Sequence, residues 1–430
     1  MMRATLSDGH NPNYVATMVL IPKIEKHPHA DNLSITSIFE NTVIVNSNTK
    51  VGDKYVYFPA ESALNKDFLK FNNLFENSEL NSDTSKHGYI NRHGRVRTLK
   101  LRRVFSKGIL LPLTYIENWL NTKIEFIENF DFDTVNTNLL VQKYLPAFPK
   151  NSPKAYKEKN YTCENKKVGF HTIVKGQFKL HYDTLQLGKN LRQFNDGDFI
   201  HISKKYHGTS GIAANVLMNT KMNPIKRFIY NLLGINTAKY EYIATSRKVF
   251  KELSVDEPWG AALEHFKEFL TPGMAIYYEA VGYYPNSQKM IQKGYDYGYK
   301  TGETGFKIYR ITTTDLNGNV DEWTPDKIKS FCLVNNKLEH VGFYLAKINF
   351  NAKYNIEETN SDLLDLMEKN DPECKNIVAF EGVCVRRAIT SFDNNNENMH
   401  LNEECFKLKA DKFFAYETAV LDEGINLDIE

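Results

Sequence analysis

Short apolar runs alternating with polar residues, each closed by turn formers, fill the first quarter of the chain. Positions 14–21, 33–39, 42–46, 54–58, 96–104 and 109–111 carry the two-residue period and the β-branched and aromatic content of strands. Strands this short and closely spaced predict a small barrel, with the OB arrangement as the leading candidate. In Arg95–Arg97 and Lys100–Arg102 charged and apolar residues alternate, but the phase slips between the two halves, which predicts a bulge or a strand end. From Tyr144 to Lys159 three prolines (Pro146, Pro149 and Pro153) stand among lysines and serine, the composition of a linker. Strand patterns dominate again beyond it. Helical spacing is found at 223–233 and at 361–368, where Leu363, Leu364, Leu366 and Met367 can share one buried face. The expected class is α+β: a barrel over residues 1–140, a linker over 141–165 and a strand-rich second domain over 166–430.

Composition narrows the class. A hydrophobic fraction of 42% supports packed cores. No apolar stretch is long enough to cross a bilayer and the first residues lack a signal pattern, so a soluble, cytoplasmic protein with no membrane partner is expected. Five scattered cysteines without a CxxC pair argue against a disulfide framework or a structural zinc site and for buried thiols. A net charge of +2 predicts no polyanion partner by itself. Its distribution does: Arg92, Arg95, Arg97, Lys100, Arg102, Arg103 and Lys107 follow one another with no acid between them. Arg95, Arg97, Lys100 and Arg102 are the candidate nucleic-acid contacts of this patch, with a solvated strand face as the alternative.

Four segments carry candidate chemistry. Phe199 to Gly211 reads as a strand, a glycine-punctuated loop and a second strand, introduced by the turn Asn195-Asp196-Gly197-Asp198. A lysine at the strand end, Lys205, is held rigidly, and Gly208 lets backbone approach a phosphate. Taken alone, such a KxxG reads as an exposed surface lysine. Glu279 and Glu381 each sit in apolar strand sequence, where an unpaired carboxylate would be costly, so each needs a partner. Phe406-Lys407-Leu408-Lys409 puts two ammonium groups on one strand face. For each of these an edge-strand charge or a satisfied ion pair is the alternative.

In this order, Lys205-Tyr206-His207-Gly208, the strand with Glu279 and Gly282, Glu381-Gly382-Val383 and Lys407-Leu408-Lys409 resemble motifs I, III, IV and V of the covalent nucleotidyltransferase superfamily of DNA ligases, RNA ligases and capping enzymes. Ser246-Arg247 looks like motif Ia and Tyr309-Arg310-Ile311 like motif IIIa. KxHG followed by Thr-Ser is more typical of RNA ligases than of DNA ligases. Little sequence follows Lys409, so the accessory domain is expected first. An amino-terminal OB domain before the nucleotidyltransferase domain, with its ATP-grasp-like antiparallel sheets and helices, resembles the RNA ligase 5 family over nearly the whole chain.

The resemblance implies an ATP-dependent RNA ligase that joins 3′-hydroxyl and 5′-phosphate ends of RNA or an RNA-containing duplex, acting as a monomer. A DNA ligase of the same superfamily and a non-catalytic nucleic-acid-binding protein are the alternatives. It further implies Lys205 as the nucleophile that takes AMP, Lys407 and Lys409 as neutralisers of phosphate charge, and Glu381 as the ligand of Mg²⁺ or Mn²⁺. Gly208, Arg247, Glu279 and Tyr309 would complete the ATP site, with Phe306 as the fallback for the adenine stack, since Arg310 replaces the usual acid of motif IIIa. Burial and neighbouring cations, Lys407, Lys409 and Lys204, are expected to depress the Lys205 pKa. The tyrosines between Tyr283 and Lys300, interleaved with lysines, suit either a nucleic-acid strand or an ordinary loop.

Overall fold

The computed structural model describes residues 4–145, 162–163, 166–167, 170–181, 184–220, 232, 237–247, 249–251, 253–392 and 399–422. The helix expected at 223–233, residue 232 apart, and most of the linker expected at 141–165 lie outside these residues. Two compact units account for the rest.

The first unit is built on short antiparallel strands: β1 (Ala16–Leu20), β2 (Leu33–Ile38), β3 (Asn41–Asn46), β4 (Lys54–Phe58), β5 (Leu99–Leu101), β6 (Val104–Ser106), β7 (Ile109–Pro112) and β8 (Asp131–Phe132). One sheet runs β7–β4–β1–β8, and β2–β3 and β5–β6 are hairpins. β1 and β4 are apolar on both faces because each serves two cores. Met18, Val56 and Phe58 pack into one cluster with Phe68 and Phe132, while Val19 and Tyr57 enter another with Ile38 and Val43. The expected strand at 96–104 is instead the turn of a hairpin and its first arm. Leu101 pairs with Val104 across Arg102 and Arg103, whose φ angles of 42° and 75° make a two-residue turn of the primed class. That turn is the strand end behind the phase slip. Residues 185–193 and the helix Asp411–Asp422 also group with this unit, so the contacts do not divide the chain at a single point. Phe413 is fully buried and Asp411 lies 2.8 Å from Lys107.

The second unit holds two antiparallel sheets. In the first, β10 (Thr209–Met218) lies between β11 (Lys239–Thr245) and β12 (Met274–Gly282), with β13 (Thr304–Thr314) and β14 (Val320–Glu322) beyond β12. All ten residues of β10 are buried, consistent with its run of small and apolar side chains. Ile212, Ala214 and Val216 pack with Ile243 and Tyr277. In the second sheet β9 (Phe199–Lys205) lies between β15 (Phe343–Ile348) and β17 (Gly382–Phe392), with β16 (Ile356–Glu358) beyond β15 and β18 (Met399–Lys409) beyond β17. The segment expected to be helical at 361–368 is a short 3-10 turn, Leu364–Glu368, with Leu363 and Met367 buried. Among the described residues no helix is long and apolar enough to cross a membrane.

Candidate active site

The backbone register of the second sheet decides which side chains meet. Lys205 pairs with Gly382 and Gly382 with Lys409; Ser203 pairs with Cys384 and Cys384 with Lys407. Directly opposed residues share a face, so Lys205, Lys407 and Lys409 point to the same side, the two motif V lysines two strands from the nucleophile, about 10 Å away. Pairing with β15 ends at Ser203, which leaves Lys205 at an opening beside β9.

That opening is a pocket lined by Lys205, Ser210, Arg247, Glu279, Tyr309, Arg386 and other residues of both sheets. Lys205 Nζ lies 2.7 Å from Glu381 Oε1, and the Glu381 side chain is only 3% exposed. Gly382 explains how this carboxylate reaches the lysine. Its φ of 146° bends the chain at the strand entry, and a Cβ there would sit 2.2 Å from Leu408 O. Gly208 is held equally close: a Cβ would meet Ala280 O at 2.2 Å. Its N–H donates to Glu279 Oε1 at 3.1 Å, and Ser210 Oγ donates to Glu279 Oε2 at 2.7 Å. Glu279 therefore finds the partner its apolar strand demands, and that partner is the nucleophile loop. Tyr309 owes its place to a bulge. Tyr277 pairs with Arg310 and Tyr278 with Ile308, leaving Tyr309 as the extra residue turned into the pocket, near His181. Phe306, packed on Phe266 and Tyr278, does not line it. Arg310 is buried and paired with Glu322, with Nε 2.7 Å from Oε2.

Electrostatics at Lys205 differ from the expectation. Burial is the largest single influence and pushes its pKa down, but the Glu381 carboxylate beside it, Cys384 and Glu279 together overcome burial and hold it above the ordinary lysine value. Lys204 cannot help to depress it. As the preceding residue on the strand it faces the other side, where Nζ is 2.7 Å from Asp371 and 2.9 Å from Glu373, above the rings of Tyr206 and Tyr297.

Two residues outside the expected set hold the KxHG loop. Tyr297 Oη accepts the His207 N–H at 2.8 Å, and Gln292 Nε2 donates to Gly208 O at 2.9 Å. Tyr295 and Tyr297 are buried, so the ordinary-loop alternative describes this part of the tyrosine-rich stretch and a stacking surface does not. Tyr295 and Tyr297 lie outside any strand or helix, with Tyr297 at φ of 47°, so no strand or helix period in the sequence marked them.

The basic stretch in the first unit divides. Arg95 is corrected as a nucleic-acid contact: its side chain is 1% exposed, its Nε and Nη2 bind Glu61 at 2.8 and 2.9 Å, and it stacks on Tyr144. Arg97 is mostly buried and ion-paired with Glu76, which likewise removes it from the exposed patch. Lys100, Arg102 and Arg103 stand exposed on the hairpin, and Arg102 donates to His29 O at 3.0 Å.

A family model described as an OB-fold domain matches residues 15–113. Among solved structures the fold is that of the RNA ligase of Naegleria gruberi. A mutant with ATP and Mn superposes with a TM-score of 0.55 at 16% identity, covering 93% of this chain and 98% of that one. A second mutant, with AMP and Mn, gives 0.55 at 15% over 93% and 98%. The same ligase with pyrophosphate gives 0.54 at 16% over 95% and 98%. No curated protein matches in sequence.

Proposed function

We propose that the chain is an ATP-dependent RNA ligase, working as a monomer through a Lys205–AMP intermediate, with residues 1–140 as its OB domain and 166–430 as its nucleotidyltransferase domain. The observation that carries this reading is the Lys205–Glu381 contact at the mouth of a pocket that also presents Glu279, Arg247 and Tyr309. The fold shared with the Naegleria ligase structures, whose contents include ATP, AMP and Mn, supports it.

Lys205 Nζ, as the neutral amine, attacks the α-phosphorus of ATP; the N–P bond forms and the bond to pyrophosphate breaks. The 5′-phosphate of the nucleic acid then takes AMP from Nζ, and the 3′-hydroxyl displaces AMP as the ends join. Lys407 and Lys409, on the same sheet face, offset charge on the phosphates during each in-line displacement. Tyr309 stacks on adenine, while Arg247 and Glu279 hold the ribose, Glu279 also fixing the loop through Gly208 and Ser210. Lys100 and Arg102, with Arg103, contact RNA phosphates from the hairpin tip.

The donor set at Glu381 fits a hard divalent cation. Oε1 faces Lys205, whereas Oε2 is buried with no hydrogen-bond partner among the described residues. No cluster of three acidic, histidine or cysteine residues stands ready among them, so water and phosphate oxygens would complete the shell. Mg²⁺ or Mn²⁺ held there would supply positive charge toward the phosphates and compete with Nζ for the carboxylate.

Incubation with α-labelled ATP and Mg²⁺ or Mn²⁺ tests the reading. Label should join the protein covalently and stay with the peptide containing Lys205. Lys205→Ala should abolish the adduct, and chelation should prevent it. Label on another side chain, or none on the native chain, refutes the proposal. Nicks bearing RNA or DNA at the 3′-hydroxyl side separate RNA from DNA ligation.

A further inference from the structure

Two thiols on the pocket face take no part in the chemistry above. Cys384 and Cys405 lie on neighbouring strands β17 and β18, and both line the pocket that holds Lys205 and Glu279. The register places Cys384 opposite Lys407 and Cys405 opposite Arg386, so the two cysteines are diagonal neighbours on one face. We propose that Cys384 and Cys405 form an oxidisable dithiol whose closure to a disulfide shuts the nucleotide pocket.

The local chemistry distinguishes the two sulfurs. Cys405, beside Cys384 and near the Arg386 guanidinium, is pulled down despite its burial. Cys384 is held up by its neighbour Cys405 and by burial. Cys332 and Cys374 are instead pushed up to about 12 by burial. Hydrogen peroxide entering the pocket would therefore react first at Cys405, the sulfur that holds its proton less tightly. Cys405 sulfur attacks one peroxide oxygen, giving a sulfenic acid and one water. Cys384 sulfur then attacks the sulfenic sulfur, forming the S–S bond and releasing a second water. Two thiols lose two electrons and two protons, and one peroxide takes up both. Closing these diagonal neighbours to an S–S bond of about 2.05 Å draws β17 and β18 together between Lys407 and Arg386, where the triphosphate and nucleoside must enter.

The effect on ATP rests on the ligase reading, but formation of the bond does not, so the two are read separately. The reduced full-length chain is treated with hydrogen peroxide, the excess is removed, and the sample is divided. Non-reducing peptide mapping by mass spectrometry reads the linkage, and α-labelled ATP reads adenylate formation before and after dithiothreitol. The wild type should yield a Cys384–Cys405 linked peptide and lose adenylate formation by about tenfold or more, with recovery on reduction. C384S, C405S and the double variant C384A/C405A, each compared with its own reduced sample, should show no such reversible loss. Peroxide inactivation without the linked peptide, a linked peptide with undiminished adenylate formation, or equal reversible loss in the double variant overturns the proposal. A reduced wild type that forms no adenylate but does form the linked peptide refutes the ligase reading and supports the dithiol.

Discussion

At Lys205 the folded protein favours the form of the amine that cannot attack. Glu381, together with Cys384 and Glu279, overcomes burial and keeps the ammonium stable, so the nucleophile is stored in an ion pair with Glu381. Because its folded pKa is raised, the pair contributes its full stability below the ordinary lysine value of about 10.4 and loses it as pH climbs through the higher folded value. Glu381→Gln removes the largest raising influence. Reactivity of Lys205 toward an amine-labelling reagent, followed by mass spectrometry across pH, should therefore shift to lower pH in this variant; an unmoved profile would sink the assignment. In the native protein, adenylate formation at fixed metal should rise through the alkaline range as the neutral amine becomes more populated. A flat pH profile in single-turnover measurements would contradict it.

Individual elements convert these residues into a site, and they differ in how much of themselves the sequence discloses. The strands bearing Lys205, Glu279 and Lys407-Leu408-Lys409 were legible because alternation puts charges at fixed offsets from apolar neighbours, and the register joins Lys205, Lys407 and Lys409 on one face. The entry to β17 was legible only as a Glu-Gly pair. That Gly382 alone fits there follows from Leu408 O, a partner distant in the chain. Gly382→Ala should lower stability by roughly 3 kcal/mol or more, seen as a lower thermal midpoint, and should impair metal-dependent adenylate formation in whatever fraction folds. A wild-type melting curve would refute this account of the strand entry. The hairpin at Arg102-Arg103 was hidden because two-residue turns advertise themselves with Asn-Gly or Asp-Gly, and two arginines at positive φ carry no such signal. Arg95 misled for a related reason: composition cannot distinguish an arginine facing water from one facing Glu61, and Lys204 beside Lys205 hides Asp371 in the same way.

Across the whole molecule, affinity for a polyanion depends on which cations face solvent, and a net charge of +2 conceals that division. Arg95 and the hairpin arginines should accordingly fail in opposite ways. Arg95→Ala leaves Glu61, whose pKa burial already pushes up, without the guanidinium that opposes that rise. It should cost about 3–5 kcal/mol of stability. Arg103→Gly instead places the residue best suited to φ of 75° in the turn while deleting a guanidinium. It should match or exceed the native melting temperature yet bind a nicked RNA duplex more weakly, with the slope of log affinity against log salt reduced by about 1. Arg102→Ala should weaken binding similarly, with loss of the bond to His29 O adding a small stability cost. Thermal melts paired with binding isotherms at several salt concentrations separate the two classes. If Arg103→Gly left both affinity and salt slope unchanged, the hairpin tip would be a strained turn without an RNA phosphate at its end. The surface that meets the substrate would then have to be sought elsewhere on the molecule.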